Sequence, residues 1–196
     1  RGDQQATLIL KDGFKESFKI EKTKYKYDGT IVEYIPSQEV FRLEKIDTNM
    51  DEIRKMCKDW SYLNPGIKFK IVDRPNNRTD IYESKNGIVD LIEQNSKKRI
   101  HPSVIYHKGK EEDIEIEVAL QWTGGREKSY VFTNGLEQVE GGTSLTGVKT
   151  AITNHMKKFF KKDFDNNLSR TGLVYIVSCK IPNPSFANQT KTKINN

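Results

Sequence analysis

The sequence Leu173-Val174-Tyr175-Ile176-Val177-Ser178-Cys179-Lys180-Ile181 is the strongest indication of how this chain folds. It is apolar almost throughout, which predicts a buried β-strand. The run stops at Pro182 and Pro184, and proline cannot continue a central strand because it lacks a backbone N–H. The following residues, 185–193, carry amide, hydroxyl and ammonium donors and no acidic side chain. A loop of this composition is suited to binding an anion.

Three stretches elsewhere in the chain carry the helical period of apolar residues, and they predict helices over Thr48–Leu63, Gly87–Gln94 and Val148–Lys162. The first is expected to begin with a capping box formed by Thr48 and Asp51, and Asn64-Pro65-Gly66 is expected to end it. The third follows Glu140-Gly141-Gly142, whose glycines are expected to let the chain turn.

Two side chains near that third helix have specific predicted roles. Thr143 or Ser144 is expected to cap the helix start, as hydroxyl side chains commonly do. His155 falls on the apolar stripe and is predicted to be a core histidine rather than a catalytic base. The remaining histidines, His101 and His107, are expected in the loop around Pro102 and show no catalytic or metal-binding spacing.

Period-two alternation predicts the strands, which are Thr7–Leu10, Glu16–Ile20, Thr30–Ile35, 67–71, 114–122 and 129–134. A polar stretch after residue 71 is expected to form a surface hairpin. The strands 114–122 and 129–134 are joined by Thr123-Gly124-Gly125-Arg126 and are predicted to form an antiparallel hairpin with positive φ angles at the glycine pair. The resulting order, α, β, α, β, β, α, β, predicts an α+β fold with helices on one face of the sheet.

Composition narrows the functional classes. Lys and Arg outnumber Asp and Glu by 33 to 27, a net charge of +6 that permits contact with a polyanion without requiring it. The two cysteines, Cys57 and Cys179, lack the spacing of a metal site and are expected to be reduced core residues. No apolar run is long enough to span a membrane, so we expect a cytoplasmic protein.

Five segments, taken in order, resemble the second half of the ATPase region of a bacterial-type type IIA DNA topoisomerase, the gyrase B or topoisomerase IV ParE subunit. They are Gly29–Ser37, Trp60–Gly66, Ile100-His101-Pro102, Glu117-Val118-Ala119-Leu120-Gln121-Trp122, and Phe132-Thr133-Asn134-Gly135 leading into Glu140-Gly141-Gly142-Thr143. The chain departs from the family pattern at Ser144, where the family has histidine, and at Thr171, where it has glutamate. These departures indicate a divergent member and leave gyrase and topoisomerase IV equally open.

The resemblance implies a fold and a domain plan. Residues 41–196 would form the transducer, which has the ribosomal protein S5 domain 2-like fold with a left-handed β-α-β crossover. Residues 1–40 would be the last strands of the GHKL ATP-binding domain shared by gyrase, Hsp90, histidine kinases and MutL. The glycine motifs of that domain do not occur in this sequence. We therefore expect a fragment of a larger ATPase that is inactive by itself.

The resemblance also implies site residues and partners. In the family, a Q-T-K loop touches the γ-phosphate of ATP, which assigns that contact to Gln189, Thr190 and Lys191, with Lys191 as the catalytic charge. ATP with Mg²⁺ would be used by the parent protein and neither would be expected in this piece alone. The parent would act on DNA as a homodimer of this subunit, together with a DNA-cleaving subunit of the gyrase A or ParC type.

Two basic clusters are candidates for lining the cavity through which DNA passes: Lys97, Lys98 and Arg99, and Lys157, Lys158, Lys161 and Lys162. A solvated surface competes with this interpretation because no aromatic residues are interleaved to stack on bases. Two other functions remain open at this stage. One is a stand-alone basic module of S5-like fold that binds RNA or DNA without ATP, and the other is a MutL-like repair ATPase.

Overall fold

The computed structural model describes residues 2–26, 28–42 and 48–195, and the chain divides into two compact units, residues 1–49 and 50–196. The first unit contains an antiparallel hairpin of β1 (Gln4–Lys11) and β2 (Phe14–Lys22). Its turn uses positive φ angles at Asp12 and Gly13, which Asp and Gly tolerate better than most residues. A single helical turn, α1 (Gln38–Phe41), follows later in this unit.

The prediction of a strand over Thr30–Ile35 is wrong. This segment forms neither a strand nor a helix, and its apolar side chains are mostly in solvent, with Val32 83% and Ile35 84% exposed. In the described residues β1 and β2 pair only with each other, and residues 30–35 pair with neither of them. Alternation of side chains indicates a strand, but a strand forms only when a neighbour accepts its backbone hydrogen bonds.

The second unit is built on a five-stranded sheet in the order β5-β6-β9-β7-β8. Its strands are β5 (Ile105–Glu111), β6 (Ile114–Trp122), β7 (Lys128–Thr133), β8 (Leu136–Glu137) and β9 (Leu173–Lys180). The predicted buried strand is confirmed as β9, which lies in the centre with residues 173–177 no more than 2% exposed. It pairs antiparallel with β6 and parallel with β7.

The predicted hairpin between residues 114–122 and 129–134 is wrong in its pairing. Both strands form, as β6 and β7, but β9 lies between them, and neither Gly124 nor Gly125 has a positive φ. Instead β6 forms a hairpin with β5, which places His107 in a strand rather than in the loop around Pro102. The most apolar strand occupies the centre because only there are both of its faces covered.

Three helices accompany the sheet: α2 (Met50–Leu63), α3 (Ile88–Asn95) and α4 (Thr143–Phe160). All three were predicted within a few residues of these bounds, except that α4 begins earlier. The strand predicted over residues 67–71 is β3 (Phe69–Asp73), and it forms a hairpin with β4 (Arg78–Tyr82), so the predicted hairpin includes that strand instead of following it. Arg54 on α2 fixes this hairpin by ion pairs to Asp73 at 3.0 Å and Asp80 at 2.9 Å.

The α+β class and the mixed sheet are confirmed, but helices cover both faces of the sheet rather than one. Val174 and Ile176 pack with α3 and Tyr62 of α2 on one face. Leu173, Tyr175 and Val177 pack with the α4 side on the other. Because β9 is apolar on both sides, each side requires a cover. The parallel strands β7 and β9 are connected through α4 and form a β-α-β unit.

Two predictions for α4 are wrong. Its N-cap is Gly142 with φ 122°, and no side chain caps the first turn, because backbone contacts occupy that position. His155 is exposed rather than in the core. The buried residues of α4 are Val148 and Thr153, and Met156 is half-buried, so His155 lies on the exposed side of the helix. In the described ranges, no helix combines the length and apolarity needed to cross a membrane.

Candidate functional site

The segment after β9, residues 185–195, folds back on itself, and we call it the Lys191 loop. Its two arms are joined by hydrogen bonds from the Ala187 N–H to the Lys193 carbonyl at 2.9 Å and from the Asn195 N–H to the Ser185 carbonyl at 2.8 Å. Ile194 is fully buried and fixes the returning arm. The predicted site residues Gln189, Thr190 and Lys191 lie together at the exposed tip of this loop.

The tip is closed by a side chain. The carboxamide of Asn188 accepts the Thr192 N–H at 3.1 Å and donates to the Thr192 hydroxyl at 2.7 Å. Between these two residues, the Lys191 N–H donates to the Asn188 carbonyl at 3.2 Å, and Lys191 has a left-handed φ of 57°. Asparagine commonly organises turns in this way by bonding to a nearby backbone group. The local sequence therefore shapes the tip.

The loop is bonded to the turn that leads into α4, residues Glu140–Thr143, which we call the anchor segment. The Glu140 N–H donates to the Thr192 carbonyl at 3.1 Å, and the Thr143 N–H donates to the Ile194 carbonyl at 3.3 Å. Between them, Gly142 forms a parallel bridge with Ile194. A Cβ at Gly142 would lie 2.3 Å from the Ile194 carbonyl oxygen, so the approach requires glycine.

Side chains strengthen this contact. One Glu140 carboxylate oxygen accepts from the Asn188 carboxamide at 3.3 Å and also from the Thr192 hydroxyl. The buried side chain of Gln138 donates to the Lys191 carbonyl at 3.0 Å. The sequence predicted a glycine turn here but not its partner. The structure brings the anchor segment and the Q-T-K sequence, which are 45 or more residues apart, into one site.

The ammonium group of Lys191 lies 5.8 Å from the centroid of the Phe186 ring. Such a cation–π contact is weak at an exposed position, about 0.5–1 kcal/mol. Among the ion pairs formed by the described residues, none involves Lys191. The lysine therefore offers a charge that is positioned by its loop and not neutralised by a carboxylate, as an anion-binding group requires.

Four of the five sequence segments that carried the resemblance also meet in pairs. The Trp60 indole N–H donates to the Gly135 carbonyl at 3.0 Å. The buried carboxamide of Gln121 donates to the His101 carbonyl at 2.8 Å. Asn134 exchanges hydrogen bonds with the backbone of Ile181, at 2.8 and 2.9 Å, and so fixes the chain where β9 ends. These residue types thus have specific polar partners in the fold.

The structure places the two basic clusters on separate elements. Lys97, Lys98 and Arg99 follow α3, where Arg99 bridges to Thr123 and pairs with Glu93 at 3.3 Å. The remaining four, Lys157, Lys158, Lys161 and Lys162, lie at the C-terminal end of α4. Lys157 pairs with Asp163 at 2.5 Å. Cations at a helix C-terminus also complement the helix dipole, so these lysines have a structural role as well.

A buried polar cluster at the opposite end of β9 was missed by the sequence interpretation. Arg170, 7% exposed, donates to Thr153 at 2.8 Å and to Glu127 at 3.3 Å. Glu127 also accepts from the Tyr175 hydroxyl at 2.8 Å and pairs with Lys149 at 3.3 Å. The only sequence signal was Arg170 itself, in the segment that departs from the family pattern.

Electrostatics in this cluster follow from its contacts. Burial alone would raise the pKa of Glu127, but the hydrogen bond from Tyr175 and the charges of Lys149 and Arg170 outweigh it and leave that pKa below its ordinary value. Burial, together with the neighbouring carboxylate, raises the pKa of Tyr175 well above its ordinary value. The cluster therefore holds Glu127 charged and Tyr175 neutral at physiological pH.

Both cysteines are free, and burial raises the pKa of the Cys57 and Cys179 thiols. Across residues 2–26, 28–42 and 48–195, no group of three or more His, Cys, Asp and Glu side chains is arranged to hold a metal ion. The candidate functional site is the Lys191 loop, which presents hydrogen-bond donors and the cations of Lys191 and Lys193.

Comparison with known proteins identifies relatives of this chain. The family model described as DNA gyrase B matches residues 87–196. The DNA gyrase B protein of Bacillus mycoides is 36% identical over 181 residues, which cover 86% of this chain and 45% of that protein. The type 2 topoisomerase B protein of Aquifex aeolicus is 32% identical over 183 residues, 87% of this chain and 23% of its own length. The chain thus spans less than half the length of these relatives.

Solved structures share the fold. The 43K ATPase domain of Thermus thermophilus gyrase B, in complex with an aminocoumarin, gives a TM-score of 0.81 at 22% identity, over 100% of this chain and 56% of that chain. The ATPase region of Saccharomyces cerevisiae topoisomerase II gives 0.61 at 17% identity, over 99% of this chain and 49% of that chain. At these identities the likeness concerns the fold alone.

Proposed function

Because the chain belongs to the DNA gyrase B family, we propose that it is part of the ATPase subunit of an ATP-dependent type IIA DNA topoisomerase. We assign residues 41–196 to the transducer and residues 1–40 to the last strands of the ATP-binding domain. A division of the chain into compact units near this point supports the assignment. The whole subunit, rather than this piece, would carry the enzymatic activity.

The observation that carries the proposal is the Lys191 loop. When bound, ATP supplies a γ-phosphate, whose negative charge distinguishes it from ADP. The exposed Lys191 ammonium, with the Gln189 amide and the Thr190 hydroxyl beside it at the tip, fits such a group. We assign the γ-phosphate contact to these three residues and the decisive charge to Lys191. Mg²⁺ is proposed only for the parent protein, with the nucleotide.

One lysine is sufficient to report which nucleotide is bound. A hydrogen bond to a charged group contributes about 1.5–3 kcal/mol, and allosteric couplings are typically about 1–3 kcal/mol. The free energy of a single ammonium-to-phosphate contact is therefore large enough to account for a typical allosteric coupling. With triphosphate bound, the docked loop would be favoured, and after hydrolysis that preference would be lost.

The contacts of the loop supply a route for this signal. Its returning arm is bonded to the anchor segment, which leads directly into α4. The chain that leads from β9 to the loop is held at Ile181 by Asn134, one residue after β7. A displacement of the Lys191 loop would therefore be carried to α4 and to the central sheet. In the parent protein, we propose that this motion opens and closes the gate around DNA.

The proposed partners follow from the family. They are DNA, a DNA-cleaving subunit of the gyrase A or ParC type, and a second copy of the ATPase subunit. Five of the seven basic candidates for a DNA cavity, Lys97, Lys98, Lys158, Lys161 and Lys162, are exposed and have no ion pair among the described residues. The other two, Arg99 and Lys157, share their charge with a carboxylate.

The test uses the longer natural chain with its partner subunit and DNA. We expect Lys191→Ala to lower ATP turnover by about 10- to 100-fold, since it removes one charged hydrogen bond, while ADP affinity is retained. Lys193→Ala is the matched control, because it removes the same charge from the same loop, and it should retain nearly full turnover. Equal effects of the two substitutions, or none, would overturn the assignment. DNA binding without nucleotide dependence would then favour the stand-alone module.

A further inference from the structure

We infer that Glu140 is a positioning residue for the γ-phosphate contact: its carboxylate bridges the two ends of the tip and holds Lys191 ready to bind. The inference rests on the proposed function of the Lys191 loop. Glu140 belongs to the anchor segment, 51 positions before Lys191, and lies outside the Q-T-K sequence.

The geometry of the tip carries the inference. Gln189, Thr190 and Lys191 lie between Asn188 and Thr192, so the separation of those two residues sets the shape of the tip. A single Glu140 oxygen accepts from both of them, from the Asn188 carboxamide at 3.3 Å and from the Thr192 hydroxyl. Because the acceptor belongs to another element, it also fixes where the tip lies relative to α4.

The same residue contributes through its backbone. The Glu140 N–H donates to the Thr192 carbonyl at 3.1 Å, so the residue contacts Thr192 twice. Substitution of the side chain leaves this backbone bond in place, as it does the Thr143 to Ile194 bond at 3.3 Å. The loop should therefore remain attached when the carboxylate is removed, while its tip loses order.

An ordered tip matters because docking must otherwise fix a mobile lysine. Holding a group in its bound conformation before binding increases affinity by removing that ordering cost. The benefit applies only to a ligand that Lys191 contacts. Glu140 should therefore affect the binding of a triphosphate and leave the binding of a diphosphate unchanged.

The role requires an acceptor oxygen rather than a negative charge. Both bonds from the tip end on one carboxylate oxygen, and both donors are neutral groups. A glutamine in the same place can supply one acceptor oxygen of the same reach. Glu140→Gln should therefore keep the bridge, whereas Glu140→Ala should remove it.

The experiment measures the affinities of the longer natural chain for ADP and for a non-hydrolysable ATP analogue. For Glu140→Ala we expect the analogue to bind about three- to tenfold more weakly, with ADP affinity within about twofold of wild type. Glu140→Gln should bind both nucleotides like wild type. Equal weakening by Ala and Gln would overturn the positioning role in favour of a charge effect, and loss of ADP affinity would overturn it in favour of a general structural defect.

Two controls keep the outcomes distinct. Lys191→Ala should weaken binding of the ATP analogue more than Glu140→Ala does. If Lys191→Ala has no effect on that binding, the proposed function fails. If Lys191→Ala weakens it and Glu140→Ala does not, only the inference about Glu140 is overturned. Trypsin cleavage after Lys191 and Lys193 without nucleotide reports the order of the tip directly. It should be faster for Glu140→Ala than for Glu140→Gln at unchanged melting temperature, and equal rates would contradict the bridge.

Discussion

The two ends of β9 are both tied by polar groups, but in opposite ways. Where the strand begins, Arg170 is buried and has partners in Thr153, Glu127 and Asn167. Where the strand ends, the Lys191 loop is held by both backbone and side-chain hydrogen bonds, and the charge at its tip is exposed. A charge with all its partners inside the fold stabilises that fold, whereas one left in solvent is available to a ligand. We call the end of β9 at Arg170 the fixed end, and the end that leads to the Lys191 loop the responsive end.

The largest expected effect is at the fixed end. Arg170→Leu should lower the free energy of unfolding by about 3–5 kcal/mol, because it removes the buried cation that bonds to Glu127, Thr153 and Asn167. Urea unfolding of the chain would measure this loss. The comparison would fail if Lys191→Ala, at the other end, destabilised the chain by a similar amount.

Gly142→Ala should be the most damaging substitution at the responsive end. The new Cβ would meet the Ile194 carbonyl oxygen at 2.3 Å, and φ at this position is 122°, so the two backbones must separate. We expect a loss of about 1–3 kcal/mol in unfolding free energy, the usual cost of strain at such a backbone conformation. Amide hydrogen exchange should accelerate at Thr143, whose N–H bonds to Ile194, and remain slow in β9. Gly147→Ala, in open space on α4, is the matched control.

Acid should affect the fixed end in a specific pH range. The pKa of Glu127 is lower in the folded chain than its unfolded value of about 4.3. Its contribution to stability is therefore present above that unfolded value and is lost as pH falls through the lower folded value. Glu127→Gln should reduce stability at pH 7 and flatten its decline as the pH falls below about 5. Parallel pH curves for the two proteins would contradict this assignment.

The smallest expected effect is that of Phe186→Leu. It removes the ring beneath the Lys191 ammonium and keeps an apolar side chain on the loop. A cation–π contact at an exposed position is worth about 0.5–1 kcal/mol, so stability should change by no more than this amount. Thermal unfolding provides the measurement. A larger loss would mean that the responsive end also has a substantial role in folding.

Much of the fold follows from local patterns. The apolar run of β9 and the helical periods of α2 and α3 are encoded within single segments, and they were predicted nearly to the residue. The order of strands could not be predicted in the same way, since the placement of β9 between β6 and β7 depends on contacts far apart in sequence. Alternation also failed at residues 30–35, where no paired neighbour is present in the described residues.

The candidate site divides similarly. The donors at Gln189, Thr190 and Lys191 could be identified from composition and resemblance. Their anchor could not, because Glu140 and Gly142 gain their roles only when the chain brings them against Thr192 and Ile194. In a single sequence, a glycine that allows two backbones to approach closely cannot be distinguished from a glycine that allows a turn.

The central position of β9 has a consequence for biosynthesis. Of the five strands of the sheet, β9 is the last to leave the ribosome, yet it separates β6 from β7. Until it arrives, β6 and β7 each present an unpaired edge, and such edges are sites of misassociation between nascent chains. Closure of the sheet must also await a contact across the whole α4 crossover, which slows folding. This sheet is therefore completed in one late step, by insertion of its most apolar strand.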